Sequence, residues 1–120
     1  GAPYMQYVHA RCCGILAKQK LDIQEVDSTL LSSKEELDLL HEISRLPFVV
    51  SSAAEALEPH RIVTYTQKLA EKFNIFYREC PVLKGTNAEL MAARLSLVTA
   101  TKNAMSNSLY LVGIESPDSM

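Results

Sequence analysis

Three tyrosines and three arginines are the side chains of this sequence whose types best suit binding chemistry. They are Tyr4, Tyr7 and Tyr77, together with Arg11, Arg78 and Arg94. Aromatic rings and guanidinium planes hold the unstacked bases of single-stranded RNA, and each stacked base contributes about 1–3 kcal/mol. Two or three such contacts can bind an RNA loop without a large basic patch. The residues alone leave two interpretations open, an RNA-loop-binding module and a generic helical interaction domain.

The same residue types also serve in the interior of helical proteins. Tyr65 and Phe73 lie on an apolar line and are interpreted as core residues, whereas Tyr77 lies one position off that line. Arg94 has apolar neighbours along the chain. This setting favours an internal ion pair or a contact with a helix end.

Cysteine and histidine residues offer a second possible chemistry. His9 and Cys12 are three residues apart, which in a helix brings a potential base close to a thiol. We favour the alternative that Cys12 packs on an apolar line, because no third group accompanies the pair. With Cys13 and Cys80 it is expected to be one of three reduced thiols, mostly buried. Neither a metal site nor a catalytic residue is predicted, since zinc-ligand spacings and enzyme signatures are absent.

Composition and charge place the chain among ordinary globular domains. It has 120 residues, of which 48% are hydrophobic and 22% charged, as expected for one packed domain. The net charge of −2 averages a value of +3 over residues 1–20, −7 over 21–58 and +2 over 59–120. An anionic partner is therefore expected at the two ends of the sequence. No segment has a membrane-spanning or secretory pattern, which predicts a soluble, cytoplasmic protein without a membrane partner.

Hydrophobic spacing predicts an all-α bundle of about five helices. The predicted helices cover residues 3–20, 34–46, 48–57, 59–80 and 87–112, with a connecting loop at 21–33. Capping boxes of Ser33 with Glu36 and of Thr86 with Glu89 indicate two helix starts. Pro47 is expected to interrupt a helix, because proline removes a backbone donor.

Two helices have the strongest apolar patterns. The line of the fourth helix consists of Ile62, Tyr65, Leu69, Phe73, Phe76 and Cys80. The last helix has two adjacent lines, Met91, Leu95, Val98, Met105, Leu109 and Val112, and Ala93, Leu97, Ala100, Ala104 and Leu111. Two lines side by side predict a wide buried face, as in the central helix of a bundle.

Seven segments, in the correct order and over nearly the whole chain, resemble a known family. They are residues 4–11 (YMQYVHAR), 46–50 (LPFVV), 58–60 (EPH), 69–77 (LAEKFNIFY), 81–83 (PVL), 93–97 (ARLSL) and 111–120 (LVGIESPDSM). The first is similar to the Tyr-x-Gln-Tyr-Ala-His-Ala-Arg segment that opens the C-terminal anticodon-binding domain of arginyl-tRNA synthetase. Two departures occur. Residues 92–95 read AARL in place of the letters DALR, and Asp118 and Ser119 stand where the family tends to have Glu and Arg.

This resemblance implies a DALR-type α-helical bundle, with residues 1–120 as a single anticodon-binding domain from the C-terminal end of a longer synthetase. Gly1 and Ala2 are then interpreted as a cloning remnant. In the family the catalytic domain, which uses ATP with Mg²⁺, precedes this segment. The fragment is therefore expected to hold no cofactor and to be non-catalytic. Its implied partners are the tRNA for arginine and the catalytic domain of the same chain, not DNA.

The resemblance also carries over a candidate RNA-binding set. Its members are Tyr4, Tyr7, Arg11, Tyr77 and Met120. The tyrosines are expected to stack on bases, Arg11 to contact the backbone or a base, and Met120 to supply apolar packing and a carboxylate acceptor. All arginine codons require cytosine at the middle anticodon position, so that base should be read most strictly. Gln6 and His9 are expected to face the catalytic domain, and a stand-alone helical protein-interaction domain is the alternative function.

Overall fold

The computed structural model describes all residues from Gly1 to Met120 and confirms the all-α bundle. The five helices are α1 (Ala2–Lys18), α2 (Lys34–Ser44), α3 (Leu46–Ala56), α4 (His60–Glu79) and α5 (Ala88–Leu111). No strand is present, and no helix combines the length and the apolar character that a membrane crossing requires. Helix α5 packs against α1, α2 and α4, but α4 contacts all four other helices, so α4 rather than α5 is the central helix of the bundle.

Two connections differ from the predictions. The predicted break between the second and third helices is confirmed, but it falls at Arg45, and Pro47 lies in the first turn of α3, where the missing N–H needs no partner. The loop at 21–33 contains two short 3₁₀ turns, Ile23–Glu25 and Ser28–Leu30. Each turn begins at an aspartate, Asp22 or Asp27, whose carboxylate accepts a hydrogen bond of 3.0 Å from the backbone N–H two residues later. Such short turns lack the apolar repeat that identifies a helix in a sequence.

One predicted capping box is confirmed and the other is wrong. The Ser33 hydroxyl accepts from the Glu36 N–H at 3.2 Å, and the Glu36 carboxylate accepts from the Ser33 N–H at 2.9 Å. At the start of α5 the capping residue is Asn87, whose side-chain oxygen accepts from the Leu90 N–H at 2.8 Å. Thr86, the predicted cap, has a buried hydroxyl without a partner. Asparagine is a slightly better N-cap than threonine, which agrees with this outcome.

The Ser33 cap yields a prediction about stability. Ser33→Ala is expected to lower the free energy of unfolding by about 1 kcal/mol, because the Glu36 N–H loses its acceptor. Urea unfolding followed by circular dichroism measures the change. Ser51, an exposed serine within α3, is the matched control, and Ser51→Ala should not lower stability. Equal stability of the two variants would contradict the cap assignment.

The hydrophobic core follows the predicted apolar lines except at one helix end. All six residues of the α4 line are buried, Tyr65 and Phe73 among them, which confirms the core interpretation of both. The α5 lines are buried or half-buried up to Leu109, but Leu111 is 52% exposed. Leu111 is the last residue of α5 and lies beside the exposed Leu57 in an apolar groove at the bundle surface. A helical repeat predicts which face points inward, but not where the neighbouring helices end.

A buried ion pair joins α5 to α2. Arg94 Nε donates to Glu36 Oε2 at 2.8 Å, and Arg94 Nη1 donates to the Pro81 carbonyl at 2.6 Å. The two charged side chains are 12% and 2% exposed. The internal ion pair predicted for Arg94 is thereby confirmed, and this arginine does not belong to a binding surface.

Candidate nucleic-acid interface

One flank of α1 presents three of the five candidate residues. Successive residues of a helix are about 100° apart, so Tyr4, Tyr7 and Arg11 share one side of α1. Tyr4 is 37% exposed, Tyr7 is 49% exposed and Arg11 is exposed. The inward line of α1, which includes Met5, Val8 and Cys12, anchors this flank to the core.

Helix α4 places Tyr77 against the α1 flank. The Arg11 guanidinium carbon lies 4.8 Å from the centre of the Tyr77 ring, within cation–π distance. The Tyr77 ring is also stacked on the buried Phe73, with centroids 5.9 Å apart and planes 10° apart. Tyr77 is thus half-buried, with Phe73 on one side and Arg11 on the other. It lies one position off the apolar line of α4, so its ring reaches both the core and the surface. The structure brings Tyr4, Tyr7, Arg11 and Tyr77 to one surface, which we call the α1–α4 face.

Asn74 is a member of the α1–α4 face that the sequence did not identify. Its Nδ2 donates to the Tyr4 hydroxyl at 2.9 Å, and its Oδ1 is buried without a partner. Asn74 lies three residues before Tyr77, so both project from the same side of α4. The spacing of three residues between Asn74 and Tyr77 was the only signal in the sequence. It was not specific, because asparagine is common at the solvated edge of an amphipathic helix.

The C-terminal tail, residues 112–120, lies along the opposite flank of α1. Gln6 Nε2 donates to the Glu115 carbonyl at 3.1 Å, and His9 Nδ1 donates to the Pro117 carbonyl at 3.0 Å. His9 is only 2% exposed. The expectation that Gln6 and His9 face a separate domain is therefore wrong for His9, whose ring is already covered, and both side chains bind the tail. Met120 belongs to this tail and is 66% exposed.

The thiols have no activated partner. His9 lies next to Cys13 rather than Cys12, with the Cys13 sulfur 3.9 Å from His9 Nδ1. Burial, reinforced by the neighbouring Cys13, raises the pKa of Cys12 to about 12. Burial and the Asp118 carboxylate raise the pKa of Cys13 as well. All three cysteines are free, and Cys12 and Cys80 are buried, as expected. Nucleophilic thiols need the opposite pKa shift.

These environments predict selective thiol labelling. At pH 8 a small thiol reagent is expected to modify Cys13 and to leave Cys12 and Cys80 unmodified until the protein unfolds, because only Cys13 is partly exposed. Mass spectrometry of the labelled peptides measures this selectivity. The urea-unfolded chain is the control, in which all three cysteines are expected to react. Early labelling of Cys12 would contradict the buried environment.

Three potential metal-ligating groups meet where the tail reaches α1. The ligand atoms of His9, Cys13 and Asp118 all lie within 4.8 Å of one another. A closed structural zinc site takes four protein ligands, and a fourth is missing from this group. Sequence spacing did not reveal the group, because Asp118 is 105 residues from Cys13 along the chain.

Two other surface features lie between α3 and α4. A cavity of about 500 Å³ is lined by basic side chains, among them Arg45 and Arg61, next to the exposed Phe48. Both arginines are already bonded to glutamates, Arg45 to Glu42 at 2.7 Å and Arg61 to Glu58 at 2.7 Å. Their charges are therefore largely compensated. The second feature is the apolar groove of about 300 Å³ that includes the side chains at 57 and 111.

These observations define a class of protein: a helical bundle whose tyrosine and arginine side chains cluster on one face. Residues 5–120 match the model of the DALR anticodon binding domain, and the chain belongs to this family. The chain is 54% identical to the arginine–tRNA ligase of Haloarcula marismortui and 44% identical to that of Methanothrix thermoacetophila, covering 99% of this chain in each case. It spans only 21% of the length of each of these relatives.

Solved structures agree with the family assignment. The Thermus thermophilus arginyl-tRNA synthetase superimposes with a TM-score of 0.89 at 30% identity, over 98% of this chain and 21% of that one. The Plasmodium falciparum arginyl-tRNA synthetase superimposes with a TM-score of 0.83 at 25% identity, over 98% and 21% of the two chains. The predicted DALR-type fold and the family resemblance are confirmed.

Proposed function

We propose that this chain binds the anticodon loop of the tRNA for arginine as one domain of an arginine–tRNA ligase. The observation that carries the proposal is the contact of Arg11 with Tyr77, which joins α1 to α4. It holds an aromatic ring and a guanidinium plane together at the surface, next to the exposed rings of Tyr4 and Tyr7. Such a surface suits unstacked bases of a single-stranded loop.

The middle cytosine of the anticodon is the base that this domain must distinguish. Cytosine presents an amino donor and two acceptors, whereas uracil presents a carbonyl at the position of the amino group. Met120, an exposed residue of the tail, is proposed as a contact with this base.

The remainder of the reaction belongs to the longer polypeptide. We assign ATP, Mg²⁺ and the attachment of arginine to a catalytic domain of the same chain in the cytoplasm, and no catalytic step to these 120 residues. The domain contributes by binding the distant anticodon loop, which orients the acceptor end of the tRNA. The ligand is RNA, and neither DNA nor a membrane is part of the proposal.

Filter binding with the full-length ligase tests this function. The tRNA for arginine and a transcript with uracil at the middle anticodon position are compared, because they differ at one base. We expect the uracil transcript to bind about tenfold more weakly, which corresponds to about 1.4 kcal/mol. Equal binding of the two transcripts would contradict the proposal.

The apolar groove favours a second candidate function, protein interaction. Leu57 is 87% exposed, and with Leu111 it leaves an apolar surface that a partner helix could cover. A Leu57→Ser variant distinguishes the two functions. Anticodon-loop binding predicts unchanged tRNA affinity in this variant, whereas a function in protein interaction predicts loss of a bound protein partner.

A further inference from the structure

A single side-chain hydrogen bond links α1 to α4 at the α1–α4 face. The Asn74 Nδ2 donates to the Tyr4 hydroxyl oxygen at 2.9 Å. Each partner lies beside a core residue of its own helix, since Phe73 is fully buried and Met5 is 1% exposed. Packing therefore fixes the helices that present both side chains, and the hydrogen bond holds the side chains in one arrangement before RNA binds.

The orientation of the Asn74 amide gives this hydrogen bond a direction. The nitrogen of an asparagine amide donates only, so the Tyr4 oxygen is the acceptor. Turned by 180°, the amide would place two N–H donors where the structure buries the Asn74 Oδ1 without a partner. Unpaired buried N–H groups are rarer in folded proteins than unpaired carbonyl oxygens. The orientation with Nδ2 toward Tyr4 is therefore the favoured one.

The Tyr4 hydroxyl keeps its own proton for another partner. A phenol oxygen has one proton to donate, and the hydrogen bond from Asn74 leaves that proton uncommitted. In a chain of donors and acceptors each hydrogen bond polarises the next, so the bond from Asn74 strengthens the hydroxyl as a donor. Tyr4 is 37% exposed. A molecule bound at this face therefore pairs with the hydroxyl best through an acceptor atom.

RNA offers two kinds of acceptor to such a donor. Phosphate oxygens recur at every nucleotide, and unstacked bases expose acceptors on their Watson–Crick edges. Cytosine N3 is an acceptor, whereas uracil has an N–H at the same position. A hydroxyl that donates outward pairs with N3 of the first base but not with that of the second.

We propose that Asn74 is a positioning residue that makes the Tyr4 hydroxyl a hydrogen-bond donor toward an acceptor of the bound RNA. This inference rests on the proposed function, because it assigns a role to atoms of the same RNA-binding face. It adds a polar contact to the stacking expected of the Tyr4 ring. Asn74 acts only through the hydroxyl, so its effect must disappear when the hydroxyl is removed.

The test is a double-mutant cycle in the full-length ligase, measured by filter binding with the tRNA for arginine. Tyr4→Phe removes the hydroxyl and keeps the ring. Asn74→Asp keeps the size of the side chain but replaces the amide donor by a carboxylate, which accepts the hydroxyl proton and reverses the hydrogen bond. The double variant isolates the effect of the added negative charge, which by itself also weakens RNA binding.

We expect Tyr4→Phe to weaken tRNA binding about threefold to tenfold, the equivalent of one lost hydrogen bond. Asn74→Asp should weaken binding at least as much, although its bond to Tyr4 is retained. In the Tyr4→Phe background Asn74→Asp should have a much smaller effect, because no hydroxyl remains to be turned inward. Tyr110, which is exposed on α5, is the matched control, and Tyr110→Phe should leave the affinity unchanged.

A comparison of transcripts with cytosine and uracil at the middle anticodon position identifies the acceptor. If the loss in Tyr4→Phe is confined to the cytosine transcript, the acceptor belongs to that base. An equal loss on both transcripts assigns the acceptor to a group that they share, such as a phosphate oxygen. Either result supports a donor at Tyr4.

Two outcomes would overturn the inference: unchanged tRNA affinity of Tyr4→Phe, and an equal effect of Asn74→Asp with and without the Tyr4 hydroxyl. Asn74→Ala is the second variant if Asn74→Asp does not fold, since it removes the amide donor without adding a charge. It should weaken binding only while the hydroxyl is present. If the unmodified ligase binds the cytosine and uracil transcripts equally, the proposed function fails instead.

Discussion

Replacement of Tyr77 by alanine is expected to weaken binding of the tRNA for arginine to the full-length ligase about 10-fold to 100-fold, the equivalent of one stacked base. The ring is held between Phe73 and Arg11, so it is already ordered before RNA binds. Because Phe73 and Arg11 cover the two faces of the ring, its removal acts by releasing the Arg11 guanidinium, whose outer face is the one left to stack on a base. Arg11→Ala should weaken binding in the same direction.

Filter binding of the variants measures this effect. Tyr77→Phe keeps the aromatic face and should retain most of the affinity. Tyr110, which is 81% exposed on α5, is the matched control, and Tyr110→Ala should bind like the unmodified protein. If Tyr77→Ala and Arg11→Ala both bind tRNA with unchanged affinity, the α1–α4 face is not the RNA-binding surface.

The second large effect concerns stability. Arg94→Ala is expected to lower the free energy of unfolding by about 3 kcal/mol, because it leaves the Glu36 carboxylate buried without its charged partner. Glu36 is 2% exposed, so water cannot replace the guanidinium without a rearrangement of α2 and α5. The carbonyl of Pro81 loses a donor in the same variant.

Urea unfolding of the 120-residue chain measures this loss. Arg78, which pairs with Glu79 at the surface, is the matched control, and Arg78→Ala should cost about 0–1 kcal/mol because both side chains are exposed. A similar loss of unfolding free energy in both arginine variants would contradict the claim that the buried pair of Arg94 and Glu36 contributes more to stability than an exposed pair.

The difference in stability between the unmodified chain and Arg94→Ala is expected to change with pH in one direction. Burial acts to raise the pKa of Glu36, but hydrogen bonds from Arg94, Ser33 and Ser32 outweigh it and lower the pKa below its ordinary value. A lowered pKa stabilises the folded protein above the pKa of the unfolded chain, and this contribution is lost as the pH falls through the folded value. The stability gap between the unmodified chain and Arg94→Ala should therefore narrow in acid.

Periodicity predicted the parts of the fold that repeat. The α4 line from Ile62 to Cys80 is buried throughout, since a side chain every three to four residues faces the same neighbours. Ser33 was also recognisable, because a capping box is a local pattern. The sequence did not reveal that Asn87 rather than Thr86 caps α5. Both are good capping residues and they are adjacent, so the packing around them determines which one caps the helix.

The candidate site was only partly predictable, because some of its contacts are local in the sequence and others join distant segments. Tyr4, Tyr7 and Arg11 follow from one helical turn to the next, so their common flank is a local property. The contact of Arg11 with Tyr77 joins two helices that are distant in the sequence; the family resemblance placed both residues in one candidate set but did not predict their contact. The bond between His9 and the Pro117 carbonyl links residues 108 positions apart and has no local signal at all.

The most direct test of the central claim is NMR titration of the ¹⁵N-labelled 120-residue chain with an anticodon stem–loop RNA of the tRNA for arginine. The binding surface proposed here predicts shifts of the amide signals at residues 4–11, 74–77 and 118–120, and weaker shifts with an RNA that has uracil at the middle anticodon position. Shifts confined to the cavity between α3 and α4 or to the apolar groove, or equal shifts with both RNAs, would contradict it.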